Sequence, residues 1–273
     1  MIIVDVPEYF QPAINIEYPK NNKVEFERWF LENYKGEETE RVYLPVLFTA
    51  FHVNHNYGND IFKVNELQQF IDSLDRNIKY FTICQYDDGV LIDFKDLDVL
   101  QFNMSNNLGY PLPLIGQAHP YYFNSAKRYL ANFVGNITHE LRRTAMGFEG
   151  NPDYYISFRH HDIEDYCWKI SQSYFTLCYR GYGANSFRIC EALQYGSVPV
   201  YISDEFIEAH EIPFETYGIK IKATDIDNID TILRKTLADK DLYESLLFNG
   251  KQVYKEGYTY EGCYNKIINK LKK

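Results

Sequence analysis

Residues 178–205 read CYRGYGANSFRICEALQYGSVPVYISDE. An apolar run, YFTLCY, leads into Arg180, Gly181, Tyr182, Gly183, Ala184 and Asn185. Ser186 then stands where a helix cap belongs. The helix carries Arg188 in its first turn, ends at Gly196 and gives way to the strand-like VPVYI. Backbone N–H groups at a helix start have no partner within the helix, and the helix dipole adds positive potential there. Such an end attracts anions. Glycines let the chain approach a ligand closely, and arginines grip phosphate through forked hydrogen bonds. The pattern fits a phosphate site, and it also fits a structural turn. Arg188 and Glu191 are three residues apart and share a helix face. They form either a surface ion pair or an arginine beside a carboxylate that accepts hydrogen bonds from a ribose diol.

Working outward from this stretch, strands and helices alternate. YLANFVG, DYYISF, YFTLCYR, VPVYIS and YGIKIKA read as strands. THELRRTAMGFEG, capped by Thr138, DIEDYCWKISQ, SFRICEALQYG and DIDNIDTILRKTLAD read as helices. This rhythm predicts β-α-β units and a parallel sheet. Two further helices, LYESLLFNGKQVYKE and EGCYNKIINKLKK, end the chain. Upstream, VEFERWFLENYKG is amphipathic, and RVYLPVLFTAFHV reads as a buried strand with its exit loop. FKVNELQQFIDSLDRN has helical spacing, KYFTICQYDDG reads as strand then turn, and DVLQFNMS as a strand. The proline-rich NLGYPLPLIGQAHPYYFN discourages both helix and central strand. The boundary is therefore expected just after it, giving an N-terminal α/β domain at 1–125 and a C-terminal Rossmann-like domain with terminal helices at 126–273. In open parallel sheets the ligand sits beyond the carboxyl ends of the strands, which points to the loop after YFTLCYR.

The totals constrain the partners. A chain of 273 residues, 45% apolar, can build one large domain or two small ones. Its 25 Tyr and 19 Phe mostly supply core, with some free to stack on sugars. The net charge of −10 disfavours nucleic acid. Any phosphate must be held by a few local arginines rather than by the field of the whole protein. Five cysteines with no CxxC suggest neither a disulfide framework nor a zinc site, and Cys84, Cys178 and Cys190 read as core. No apolar stretch is long enough to span a membrane.

The stretch from YFTLCYR to VPVYISDE closely resembles the signature of the exostosin-type glycosyltransferases. That signature leads from Cys-Pro-Arg-Gly through Ser-Phe-Arg to Glu-Ala and Pro-Val. YPLPLIG resembles the family's proline-containing crossing between domains, and NFVGNITHELRRTAM its strand–Gly–helix with an arginine. The resemblance covers residues 108–205. It implies a GT-B fold, two Rossmann-like domains facing a cleft, with a nucleotide sugar as donor and a glycan as acceptor. Arg180 and Arg188 would face the diphosphate and Glu191 the ribose. Gly135 and Arg142 or Arg143 would lie on a second loop of the same site, beside Gly181, Tyr182, Gly183 and Ser186. The transfer would be inverting, with a UDP-sugar expected and no metal or other cofactor. Tyr179 stands where the family has proline. No amino-terminal anchor precedes the domain, which suggests a microbial or viral enzyme in a cytoplasm.

An inverting transfer needs a base near the acceptor hydroxyl. Asp87 and Asp88 in QYDDG head the candidates, against the alternative of a plain Asp-Gly turn. His52 and His55 follow. His119 lies near the crossing, and His160 and His161 follow a second-domain strand. Rival functions are a metal-dependent transferase using Asp87 and Asp88, and a non-catalytic glycan or nucleotide-sugar binder. A P-loop nucleotidase lacks its motif. The oligomeric state is open.

Overall fold

The computed structural model describes residues 3–14, 25–159 and 161–273. The chain forms two compact units, Met1–Leu112 with Tyr260–Lys273, and Pro113–Thr259. The divide falls inside the proline-rich stretch, ahead of the expected position near 125. Pro113 opens the second unit, and the C-terminal end returns to the first.

In the first unit, α1 (Phe26–Asn33) precedes β1 (Val42–Tyr43), α2 (Phe48–Asn54), α3 (Ile61–Asp72), β2 (Tyr80–Cys84), β3 (Val99–Asn103) and β4 (Tyr110–Pro111). The strands lie in the order β1-β2-β3-β4, all parallel. All five residues of β2 are buried, as expected for a strand covered on both faces. Tyr43 stacks on Phe81 with ring centres 4.9 Å apart. Phe48, Phe51, Leu67 and Ile71 pack with Tyr80 and Cys84 in one cluster.

RVYLPVLFTAFHV is a correction. Only Val42–Tyr43 is strand, and the chain is helical from Phe48. Pro45 has no N–H for a ladder and restricts Leu44 before it. Every residue of α2 except Asn54 is buried, so the helix shows no polar face and its sequence reads like a strand. The proline-rich segment also holds one strand. β4 lies at the sheet edge, where a proline is tolerated.

In the second unit, β5 (Tyr129–Val134), β6 (Tyr154–Ser157), α4 (Ile163–Ser171), β7 (Ser173–Tyr179), α5 (Phe187–Gln194), β8 (Val198–Ser203), β9 (Ile219–Lys222), α6 (Ile229–Ala238) and α7 (Lys240–Gly257) follow the expected alternation. The sheet runs β6-β5-β7-β8-β9, all parallel. Phe133, Phe175, Val200 and Ile202 form its core with Ile229, Leu233 and Leu246. The segment between β5 and β6 is a 3-10 helix, Glu140–Phe148. Its cap is His139, whose side chain accepts from Leu141 N–H, and not Thr138. The last helix, α8 (Tyr260–Leu271), belongs to the first unit, where Tyr260 and Tyr264 pack on Phe26 and Phe30 of α1. All five cysteines are buried thiols.

Candidate functional site

The strand order of the second unit fixes where a ligand can bind. β5 lies between β6 and β7. The chain leaves β5 towards one edge of the sheet and leaves β7 towards the other. Divergent connections open a crevice at the carboxyl ends of two such strands. Gly135 follows β5 and Arg180 follows β7, so both expected loops meet at this switch point.

Arg188, on α5, reaches across to β5. Its Nε donates to the Val134 carbonyl at 3.0 Å, and Nη2 donates to the same oxygen. The guanidinium lies 5.0 Å from the centre of the Phe133 ring. Gly135 makes this approach possible, because a Cβ there would fall 1.8 Å from Arg188 Nη2. Two of the five N–H donors of Arg188 are thus committed to main chain.

Arg142 is buried and ties the two loops together. Its Nε donates to the Arg180 carbonyl at 2.8 Å and its Nη1 to the Asn136 carbonyl at 2.9 Å. It positions the crevice through the backbone. Arg143 is exposed and lies 3.9 Å from Glu140. A Cβ on Gly181 would lie 3.2 Å from Arg142 Nη2 and 3.8 Å from Thr138 Oγ1, so this glycine admits the close packing of both loops.

Arg180 Nη1 pairs with Asp204 at 2.5 Å, and Nη2 donates to the Tyr182 carbonyl at 3.2 Å. The Arg180 guanidinium holds the Asp204 carboxyl below its ordinary range. Tyr182 is exposed and Gly183 buried. Tyr201 hydroxyl donates to the Ala184 carbonyl at 2.8 Å, anchoring the loop from β8.

Ser186 occupies the N-cap of α5 with extended backbone, but its side chain makes no capping bond. Its Oγ is buried without a partner, as are Thr138 Oγ1 and Arg180 Nε. Buried polar atoms are normally satisfied. Three such exceptions fall on the two loops of one crevice.

Glu191 lies one turn beyond Arg188. Tyr166 hydroxyl donates to its Oε2, and His119 Nε2 lies 3.5 Å from Oε1. Burial pushes the carboxyl pKa up. The contact with His119, the charge of Arg188 and the Tyr166 hydroxyl outweigh it and hold the group below its ordinary value. The bland alternative, an exposed surface ion pair, does not describe Glu191, whose side chain is only 19% exposed.

His161 also lies in this unit. Its Nδ1 is 2.7 Å from Asp165 and its Nε2 is 2.8 Å from Ser157 Oγ. His160 lies outside the described residues.

The candidate bases sit in the first unit. Asp87 and Asp88 occupy a turn at the carboxyl end of β2, closed by Gly89 N–H on the Tyr86 carbonyl at 3.1 Å. Asp88 is exposed and Asp87 half-buried. Among the described residues they belong to no cluster of three metal-ligating side chains. His52 is not in a loop. It is a wholly buried residue of α2, with Nε2 2.7 Å from the Val90 carbonyl. Burial pushes its pKa down to about 4. This places it in the core of the first unit, where the sequence reading expected a loop histidine. His55, at the end of α2, packs on the Phe51 ring.

Sequence reasoning did not find Tyr166, Asp204 or the bond of His119 to Glu191. Each partner lies on a different element, and spacing along the chain carries no signal for such pairs.

The Exostosin GT47 domain description matches residues 95–236, just over half of the chain. The chain belongs to the exostosin GT47 family. Each of its two units is an α/β unit built on a parallel sheet. A probable glucuronosyltransferase of Oryza sativa subsp. japonica is 28% identical over 45% of this chain and 32% of that protein. A probable β-1,4-xylosyltransferase of Arabidopsis thaliana matches at the same identity and coverage. The exostosin-family chain thus spans about a third of the length of these relatives. A pneumococcal O-GlcNAc transferase, solved with UDP and GlcNAc, superposes with a TM-score of 0.43 at 12% identity over 84% of this chain and 56% of that one. Among the described residues no helix is long and apolar enough to cross a membrane.

Proposed function

We propose that this chain is an inverting glycosyltransferase that moves a sugar from a nucleotide diphosphate sugar, with UDP-sugars the expected donors, to a glycan hydroxyl. The observation that carries the proposal is the switch-point crevice. It brings Arg188 against Gly135, Arg180 beside Gly181, and three unsatisfied buried polar atoms onto the same two loops.

The acceptor oxygen attacks the anomeric carbon as the bond to the diphosphate oxygen breaks. The diphosphate leaves with that electron pair, and the hydroxyl proton passes to a base. Arg180, Arg188 and the N-terminus of α5 supply positive potential where the leaving charge develops. These groups suffice without a metal ion. Glu191 receives the ribose hydroxyls. Asp87 or Asp88 takes the acceptor proton.

The test is nucleotide release from a panel of UDP- and GDP-sugars with a mixed glycan acceptor. The names of the rice and Arabidopsis relatives put UDP-glucuronic acid and UDP-xylose first in that panel. Release from one donor, unchanged by EDTA, supports the metal-free transfer. Release abolished by EDTA moves the chemistry to metal-bound Asp87 and Asp88. Binding without release from any donor indicates a non-catalytic binder.

A further inference from the structure

Glu191 is held from two other elements of the second unit, and each takes one carboxylate oxygen. His119 lies in the irregular segment between Pro113 and β5. Its backbone is fixed by Gln194, the last residue of α5. His119 N–H donates to Gln194 Oε1 at 3.3 Å, and Gln194 Nε2 donates to the His119 carbonyl at 2.8 Å. Glu191 and Gln194 are three apart on the same helix and so share a face. The reciprocal pair with Gln194 therefore sets the His119 imidazole against Glu191 Oε1, at 3.5 Å. From α4, Tyr166 donates its hydroxyl to Glu191 Oε2. Side-chain exposure is 6% for His119 and 19% for Glu191, so the imidazole is closed in while the glutamate side chain is not fully covered.

We propose that His119 and Tyr166 are positioning residues that fix the Glu191 carboxylate to accept the two ribose hydroxyls of the bound nucleotide. A carboxylate offers about four lone-pair sites. His119 and Tyr166 engage one on each oxygen, which leaves one on each for a vicinal diol. A free glutamate has several rotamers, and fixing them only on binding weakens affinity. Holding the side chain beforehand removes that cost. The inference rests on the proposed function and adds which groups make its ribose contact specific.

The experiment titrates the full chain calorimetrically with UDP and GDP and with their 2′,3′-dideoxy analogues. The proteins are the wild type, His119→Ala, His119→Gln and Tyr166→Phe, each checked for folding by circular dichroism. The wild type is expected to prefer the ribonucleotide. His119→Ala and Tyr166→Phe should weaken its binding by up to about tenfold, the scale of one ordered long side chain. The dideoxy analogue should lose less than about twofold, because its missing hydroxyls no longer sense Glu191. His119→Gln, which keeps a side-chain N–H donor, should recover part of the loss. If His119→Ala does not fold, Tyr166→Phe and His119→Gln carry the comparison. Equal losses for both nucleotides would show a packing role and overturn the proposal, as would unchanged ribonucleotide binding. A wild type that binds the ribonucleotide and its dideoxy analogue equally overturns the ribose role alone. A wild type that binds neither UDP nor GDP overturns the donor-binding function on which the proposal rests.

Discussion

The guanidinium of Arg188 hydrogen-bonds the carbonyl of Val134, 54 residues earlier in the chain, and lies where a side chain on Gly135 would be. One arginine thus joins helix α5 to the end of strand β5 at the switch point of the sheet. This contact makes Gly135 a test of the site. In Gly135→Ala the new Cβ would fall 1.8 Å from Nη2. The guanidinium is the far end of a flexible side chain, so it moves while the fold survives. We expect turnover to fall at least about tenfold, since misplacing a positioning group costs that much or more. Thermal unfolding should also come earlier, because Gly135 lies at φ +157°, where a residue with a Cβ is strained by about 1 kcal/mol or more. Steady-state rates beside a melting curve check both.

On the proposed mechanism, Arg188→Ala removes a donor to the leaving diphosphate. Turnover should fall about 100-fold or more, as when other charge-stabilising donors are removed. Arg188→Lys should recover little, because an ammonium cannot reproduce the fork on Val134 and reach a ligand as well. Near-normal rates in either variant would remove Arg188 from the mechanism.

Asp204 holds Arg180, with its carboxylate 2.5 Å from Nη1, and on the proposed function would compete with the nucleotide for it. Asp204→Asn frees that donor and removes a negative charge beside the crevice. Diphosphate binding should tighten by a few-fold, about the scale of one exposed pair. The gain should shrink as salt is raised. Titration at two ionic strengths measures it.

His52 and Glu27 give the first unit opposing pH dependences. Burial pushes Glu27 up to about 7, against hydrogen bonds from Thr49 and Gln85. Its folded form therefore binds a proton that the unfolded chain has released, and stability falls as pH rises from about 4.5 to 7. Burial pushes His52 down to about 4, so only the unfolded chain holds its proton, and stability falls as pH drops from about 6.5 to 4. The two slopes oppose between about pH 4.5 and 6.5. His52→Gln removes one of them. Relative to wild type, its stability should decline by about 1.4 kcal/mol per pH unit across that window. Denaturant melts at pH 5 and 6.5 decide it, and parallel profiles would refute the assignment.

The second unit was legible almost element by element. Its strands are apolar runs bounded by glycine, proline or a helix start, and parallel strands covered by helices read that way. The first unit was less so. α2 is buried on nearly every side and shows no helical stripe, so its run resembled a strand. Thr138 and Ser186 have the right residue types for caps, yet neither side chain caps a helix. Their oxygens are buried and unpartnered, and nothing in the local sequence separates a capping hydroxyl from one that does not cap.

By itself the sequence determined the family, the alternation of strands and helices in the second unit, and the glycine–arginine loop after β7. These rest on periodicity, turn chemistry and a dense local motif, all written within about thirty residues. Only the tertiary structure decided what those residues touch. Arg142 became a brace on main-chain carbonyls, Arg188 was set on Val134, and Glu191 was gripped by His119 and Tyr166. His52 was withdrawn into the core. The reason is that side-chain partners are chosen by the packing of distant elements. A chain carries no marker of which far residue will lie within hydrogen-bond reach until the sheet order brings the two together.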